Sequence, residues 1–104
     1  MDKYTVDVLQ PAKHDMRDIY LYIANELHVP IAAADLLDEI ENALGRLAFS
    51  PHGNPRVRHE RLAHQGYRML IIRNYIAFFT INEQAKVVEV ERILYGRRDW
   101  ANIL

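Results

Sequence analysis

A chain of 104 residues, half of them apolar, with thirteen Lys and Arg against fourteen Asp and Glu, predicts one folded domain over residues 1–104 with one hydrophobic core. It contains no cysteine, which excludes disulfides, thiolate metal sites and a cysteine nucleophile. Met1–Gln10 alternates polar and apolar residues instead of running apolar, and no apolar run approaches a membrane span. The expectation is a cytoplasmic protein with no membrane contact.

From Lys3 to Leu9 the alternation places Tyr4, Val6 and Val8 on one face, as in a strand. Pro11 ends it and opens a helix, where its missing N–H costs nothing. Met16, Ile19, Tyr20, Ile23 and Leu27 then recur at three- and four-residue spacing as an apolar stripe. Pro30 opens a second helix, whose Ala33, Leu36, Leu37, Ile40, Leu44 and Leu47 keep the same period. That helix stops before Ser50-Pro51, and the short link between the two predicts an αα-hairpin. Residues 10–48 carry three cations against seven acids, a net charge of −4.

The next segment, Ser50 to Gly66, reads SPHGNPRVRHERLAHQG and is predicted as a loop. From Pro51 to Arg73 the charged residues are Arg56, Arg58, Arg61, Arg68 and Arg73 against Glu60, with His52, His59 and His64 among them. A near-neutral chain that gathers its cations in one stretch suggests a face for an anionic partner, nucleic acid first. The plainer alternative is a solvated Arg-rich loop.

Three strands come next, Tyr67 to Arg73, Tyr75 to Ile81 and Lys86 to Leu94, joined near Arg73-Asn74 and over Asn82–Ala85 as an antiparallel meander. The tail Tyr95–Leu104 ends the chain. The fold class is α+β in the order β-α-α-β-β-β, a helical hairpin packed on one face of an antiparallel sheet. Strand Tyr75 to Ile81 is apolar on both faces, since Tyr75, Ala77, Phe79 and Ile81 alternate with Ile76 and Phe78. The hairpin covers one face, so the chain's own tail or a partner must cover the other.

Candidate chemistry is limited. Neither His14 with Asp18 nor His59 with His64 comes with a third ligand at a diagnostic spacing, so neither a metal nor a cofactor is expected. Metal-free cleavage of RNA needs a base for the 2′-hydroxyl and cations for the phosphate. His59, Glu60 or His64 supplies the first, and Arg58, Arg61, Arg68, Arg97 and Arg98 the second, with Tyr95 placed to stack or to donate a proton. Arg92 shares strand parity with Val88, Val90 and Leu94, and Arg68 with Leu70 and Ile72. If neighbouring strands bring both to one face, they form a cationic pair near Arg97 and Arg98.

Several runs resemble the RelE/ParE superfamily of toxins from bacterial type II toxin–antitoxin systems. They are Pro11-Ala12 leading to Asp18-Ile19-Tyr20-Leu21-Tyr22-Ile23, Leu47-Ala48-Phe49-Ser50-Pro51, Gly66-Tyr67-Arg68, Tyr75-Ile76-Ala77-Phe78-Phe79, and Arg92-Ile93-Leu94-Tyr95-Gly96-Arg97-Arg98-Asp99. Their order covers nearly the whole chain. The resemblance implies a growth-inhibiting toxin in a hetero-oligomer with a cognate antitoxin, whose extended or helical segment wraps it and reaches Tyr75, Phe79, Ile81, Tyr20 and Ile23. RelE-like members cleave mRNA on the ribosome, whereas ParE-like members inhibit DNA gyrase.

For a nuclease, Arg68 matches the arginine after Gly-Tyr, and Arg97 or Arg98 the arginine after the last strand. Arg58, His59 and Arg61 stand where RelE-like enzymes supply lysines. For a gyrase binder, Arg92, Tyr95, Trp100, Ile103 and Leu104 are the candidate target contacts. The central strand and the run Arg92 to Tyr95 look closer to ParE, so gyrase is the first expectation. Ribosome-dependent mRNA cleavage, or an inactive antitoxin-binding member, are the alternatives.

Overall fold

The computed structural model describes residues 3–104. After strand β1 (Thr5–Val8), helix α1 (Gln10–Leu21) carries Pro11 in its first turn. The helix runs directly into a π-helical turn, Tyr22–Glu26, closed by the Leu27 N–H on the Tyr22 carbonyl at 3.1 Å. His28 then takes a positive φ of 57°, and Pro30 opens α2 (Pro30–Arg46). The wider turn adds a residue and rotates the chain beyond it off the apolar stripe. Leu27, expected on the buried face, is therefore 52% exposed.

Strands β2 (Arg68–Ile72), β3 (Tyr75–Asn82) and β4 (Val87–Tyr95) form the expected antiparallel meander. β1 joins it as an outer strand parallel to β4, giving the order β1-β4-β3-β2. The architecture is the expected α+β fold, and the pairing direction of β1 is a feature that alternation along one strand does not reveal. The basic segment is more ordered than a loop. It holds a 3₁₀ turn at Pro51–Gly53 and a short helix α3 (Glu60–His64), and the tail forms α4 (Trp100–Ile103).

Two apolar clusters lie on the two sides of the sheet. On one side Ala77, Phe79, Val88, Val90 and Ile93 meet Ala12, Leu36, Ile40 and Leu44 of the hairpin. On the other, Phe78 and Leu94 meet Val57 and Leu62 of the basic segment, with Tyr67, Trp100, Ile103 and Leu104 closing over them. The Trp100 and Phe78 rings stand 5.3 Å apart. Burying a phenylalanine fully is worth roughly 1.5–3 kcal/mol, so a strand with Phe78 and Phe79 on opposite faces strongly favours enclosure on both.

The second face of β3 is thus covered by the chain itself. Phe79, expected among the antitoxin contacts, is sealed in the hairpin-side cluster with no exposed surface. Tyr20, Ile23, Tyr75 and Ile81 remain partly exposed. Trp100, Ile103 and Leu104, expected as target contacts, spend much of their apolar surface on the sheet.

Candidate functional site

A bulge in β4 decides where the arginines go. Phe78 of β3 pairs with Arg92 while Phe79 pairs with Val90, leaving Glu91 as an extra residue. Glu91 turns to the loop side and accepts hydrogen bonds from the Tyr67 hydroxyl and the Thr80 hydroxyl, each at 3.2 Å. Burial, then the Glu91 charge, push the Tyr67 hydroxyl up from its usual pKa. Arg92, paired with Phe78, reaches Asp15 of α1 in a two-point pair, Nε to Oδ2 at 2.7 Å and Nη2 to Oδ1 at 2.9 Å. The same Oδ2 accepts the Ile93 N–H at 2.9 Å. Asp15 therefore holds the Ile93 amide and the guanidinium together, and its hydrogen bond holds the Arg92 pKa above its ordinary value.

Arg68 is engaged elsewhere. Its Nη1 donates to the carbonyls of Asn54 at 2.7 Å and His52 at 3.4 Å, pinning the basic segment along β2. Backbone pairing reinforces this, with Val57 N–H on the Tyr67 carbonyl and Met69 N–H on the Pro55 carbonyl. The expected cationic pair of Arg68 and Arg92 does not form, because the bulge hands Arg92 to Asp15. Arg61 donates to the Ala101 carbonyl at 2.6 Å and ties α3 to the tail.

His59, Glu60, Arg61 and His64 line a shallow depression beside α3. The His59 Nδ1 is buried there without a hydrogen-bond partner. Arg97 and Arg98 stand at the far end of the sheet, where the Gly96 N–H bonds the Asn74 carbonyl at 2.7 Å. A Cβ on Gly96 would come within 3.2 Å of that carbonyl, a tight contact that the backbone would have to relieve by a few tenths of an ångström. Arg68 pairs with Phe79 and the Gly96 contact lies beside Tyr75, so about four residues of β3, roughly 13 Å, separate the two arginine positions. Arg68 and the Arg97–Arg98 pair thus stand towards opposite ends of β3, while α3 adjoins the start of β2 through the Tyr67 N–H on the Leu62 carbonyl and the tail through Arg61.

That far end holds a groove of about 660 Å³ between α1 and the end of β4, lined by Asp18, Tyr22, Tyr75, Tyr95 and Arg98 among others. Tyr75 and Tyr95 meet edge to face at 5.8 Å. Tyr95 is one of the expected target contacts; Tyr22 and Asp18 are not. Leu21 and Tyr22 carry the missed signal, two bulky apolar residues on what the stripe assigns to the polar side of α1.

The model for the ParE toxin of the parDE type II toxin–antitoxin system matches residues 6–100. The chain belongs to the ParE toxin family. A P. aeruginosa chromosomal ParDE structure has a TM-score of 0.74 to it at 19% identity, over 89% of this chain and 96% of that one. A two-arginine variant of E. coli RelE in the free state gives 0.68 at 13%, over 97% and 92%. The RelBE2 toxin–antitoxin complex of Mycobacterium tuberculosis gives 0.61 at 20%, over 89% and 98%. Among curated proteins none matches the chain. At these identities the structural likenesses show the fold alone; the family model, matched over most of the chain, makes it a toxin of the type II class.

Within this ParE-family chain the charge is divided by layer. The helical layer is acidic, and the layer of basic segment and tail carries Arg56, Arg58, Arg61, Arg97 and Arg98. No helix among the described residues is long and apolar enough to cross a membrane.

Proposed function

We propose that this toxin acts in the cytoplasm by binding and inhibiting DNA gyrase, and that a cognate antitoxin neutralises it in a hetero-oligomer. The separation of Arg68 from Arg97 and Arg98 along β3 supports gyrase over mRNA. Cleavage of a phosphodiester needs a base and phosphate clamps within hydrogen-bond reach of one phosphate. Inhibition by binding needs only a complementary surface with a few dominant anchors. A chain of formal net charge −1 also lacks the cationic excess that docking among ribosomal phosphates favours.

The antitoxin is assigned to the hairpin side, where Tyr20 and Ile23 stay partly exposed. A shallow apolar groove lined by Val6, Val8, Met16 and Leu44 continues along the outer edge of β1. An extended segment laid there pairs with an unpartnered strand edge while burying alternate side chains.

The test uses purified protein in two assays, gyrase supercoiling and mRNA integrity in the presence of ribosomes. The expected result is inhibited supercoiling and intact mRNA, with relief of inhibition on adding a cognate antitoxin. Cleaved mRNA with normal supercoiling overturns the reading.

A further inference from the structure

We propose that the groove between α1 and the end of β4 is the surface that grips gyrase. It would hold a protein segment with an apolar anchor against Tyr22, Tyr75 and Tyr95, flanked by a basic side chain facing Asp18 and an acidic one facing Arg98. The proposal rests on the gyrase reading and moves the contact from the tail, where the sequence places it, to residues the fold leaves open.

The tail is largely committed to the sheet, as Trp100 on Phe78 shows. Tyr22 and Tyr95 are instead 55% and 40% exposed. Their rings are large, rigid contact area that loses little conformational freedom on binding, and with Arg they are the residues that dominate interfaces. Burial, then the neighbouring hydroxyls of Tyr95 and Tyr22, push the Tyr75 pKa up, which keeps Tyr75 uncharged at neutral pH.

The charges on the two sides of the groove differ in their commitments. Asp15 is taken by Arg92 and the Ile93 amide. The Asp18 carboxylate on α1 and the Arg98 guanidinium on the tail have no side-chain partner among the described residues. One wall thus offers an unpaired anion and the other an unpaired cation, which matches a segment carrying both signs around an apolar centre. A phosphate backbone would meet Asp18 unfavourably. It would also leave unburied the adjoining hairpin tip, where Leu27, Val29 and Ile31 are exposed and the Leu27 N–H bonds the Tyr22 carbonyl. A protein partner uses both features.

The experiment measures binding to DNA-free gyrase and inhibition of supercoiling for the wild type and for Tyr22→Ala, Tyr95→Ala, Asp18→Lys and Arg98→Glu. Phe49→Ala, exposed beside the start of β1 at the opposite end of the sheet, serves as control. Circular dichroism melting verifies that each variant is folded. The proposal predicts that each tyrosine truncation weakens binding by about tenfold or more, that both charge reversals weaken it, and that the control matches wild type. Wild-type binding that survives all four substitutions overturns the proposal while leaving the gyrase reading intact. Wild-type protein that neither binds nor inhibits gyrase overturns both, and binding that appears only when DNA is present assigns the surface to nucleic acid and also overturns the proposal.

Discussion

The two faces of one sheet are enclosed by opposite means. The hairpin side is covered by two amphipathic helices, acidic on their outer surface, whose apolar stripes repeat with helical period. The loop side is covered by a basic segment and a tail made of short helical turns, held by backbone pairing to β2 and by side-chain contacts such as Arg68 on Asn54 and Arg61 on Ala101. Yet Phe78 and Phe79, adjacent on β3 and facing opposite sides, are equally sealed from solvent. Apolar demand from the strand fixes how much cover a face needs, but not whether the cover is regular.

The sharpest way to break that equivalence is to truncate each phenylalanine in turn. Phe79→Ala and Phe78→Ala should each cost about 3–5 kcal/mol in urea unfolding, the usual loss for an enclosed phenylalanine. If Phe78→Ala costs under about 1 kcal/mol, the loop-side layer is loosely docked and the comparison fails. Next in size is the strut between the hairpin and the sheet. Arg92→Ala leaves the Asp15 carboxylate with the Ile93 amide alone and should cost about 2–4 kcal/mol, somewhat below a fully buried pair because both side chains keep some exposure. A double-mutant cycle with Asp15→Asn should show coupling above about 1 kcal/mol, and additive losses would deny the strut.

Trp100→Ala tests the tail's share of the loop-side cover. Partial exposure reduces the loss below that of a sealed aromatic, to about 1–3 kcal/mol in the same unfolding experiment. The smallest effect concerns the surface clasp at the start of β1. Glu83 accepts from the Tyr4 hydroxyl at 2.9 Å and contacts His52, and these bonds, Tyr4 first, hold its carboxyl below the ordinary range. A depressed carboxylate pKa stabilises the fold above the unfolded value and loses that contribution as pH falls through the folded one. Glu83→Gln should therefore melt slightly lower than wild type at pH 7, with the gap closing below about pH 4. A gap that persists in acid would assign the effect to packing instead.

Helical period, two prolines at helix starts and strand alternation make the element order legible from the sequence. The departures arise at single-residue irregularities. Glu91 as a bulge reverses the side on which Arg92 emerges, because parity counted from Val88 no longer holds beyond it. The π-helical turn does the same to Leu27, and it sets Tyr22 beside the groove. α3 has no signature of its own in the sequence because five residues, Glu60–His64, are too few to display a stripe. The parallel pairing of β1 depends on contacts between residues more than eighty positions apart. Of the candidate site, the exposed Tyr95 and Arg98 are legible, whereas Asp18 and Tyr22 become visible only when α1 and the end of β4 are brought together.

The most direct measurement is supercoiling inhibition by the double variant His59→Ala with His64→Ala, run beside wild type with mRNA integrity followed in parallel. If the toxin works by binding gyrase, the folded double variant inhibits supercoiling within about twofold of wild type, since neither imidazole lines the tyrosine groove, and mRNA stays whole. Loss of toxicity in that variant with its fold intact, together with ribosome-dependent mRNA cleavage by the wild type, would contradict the account.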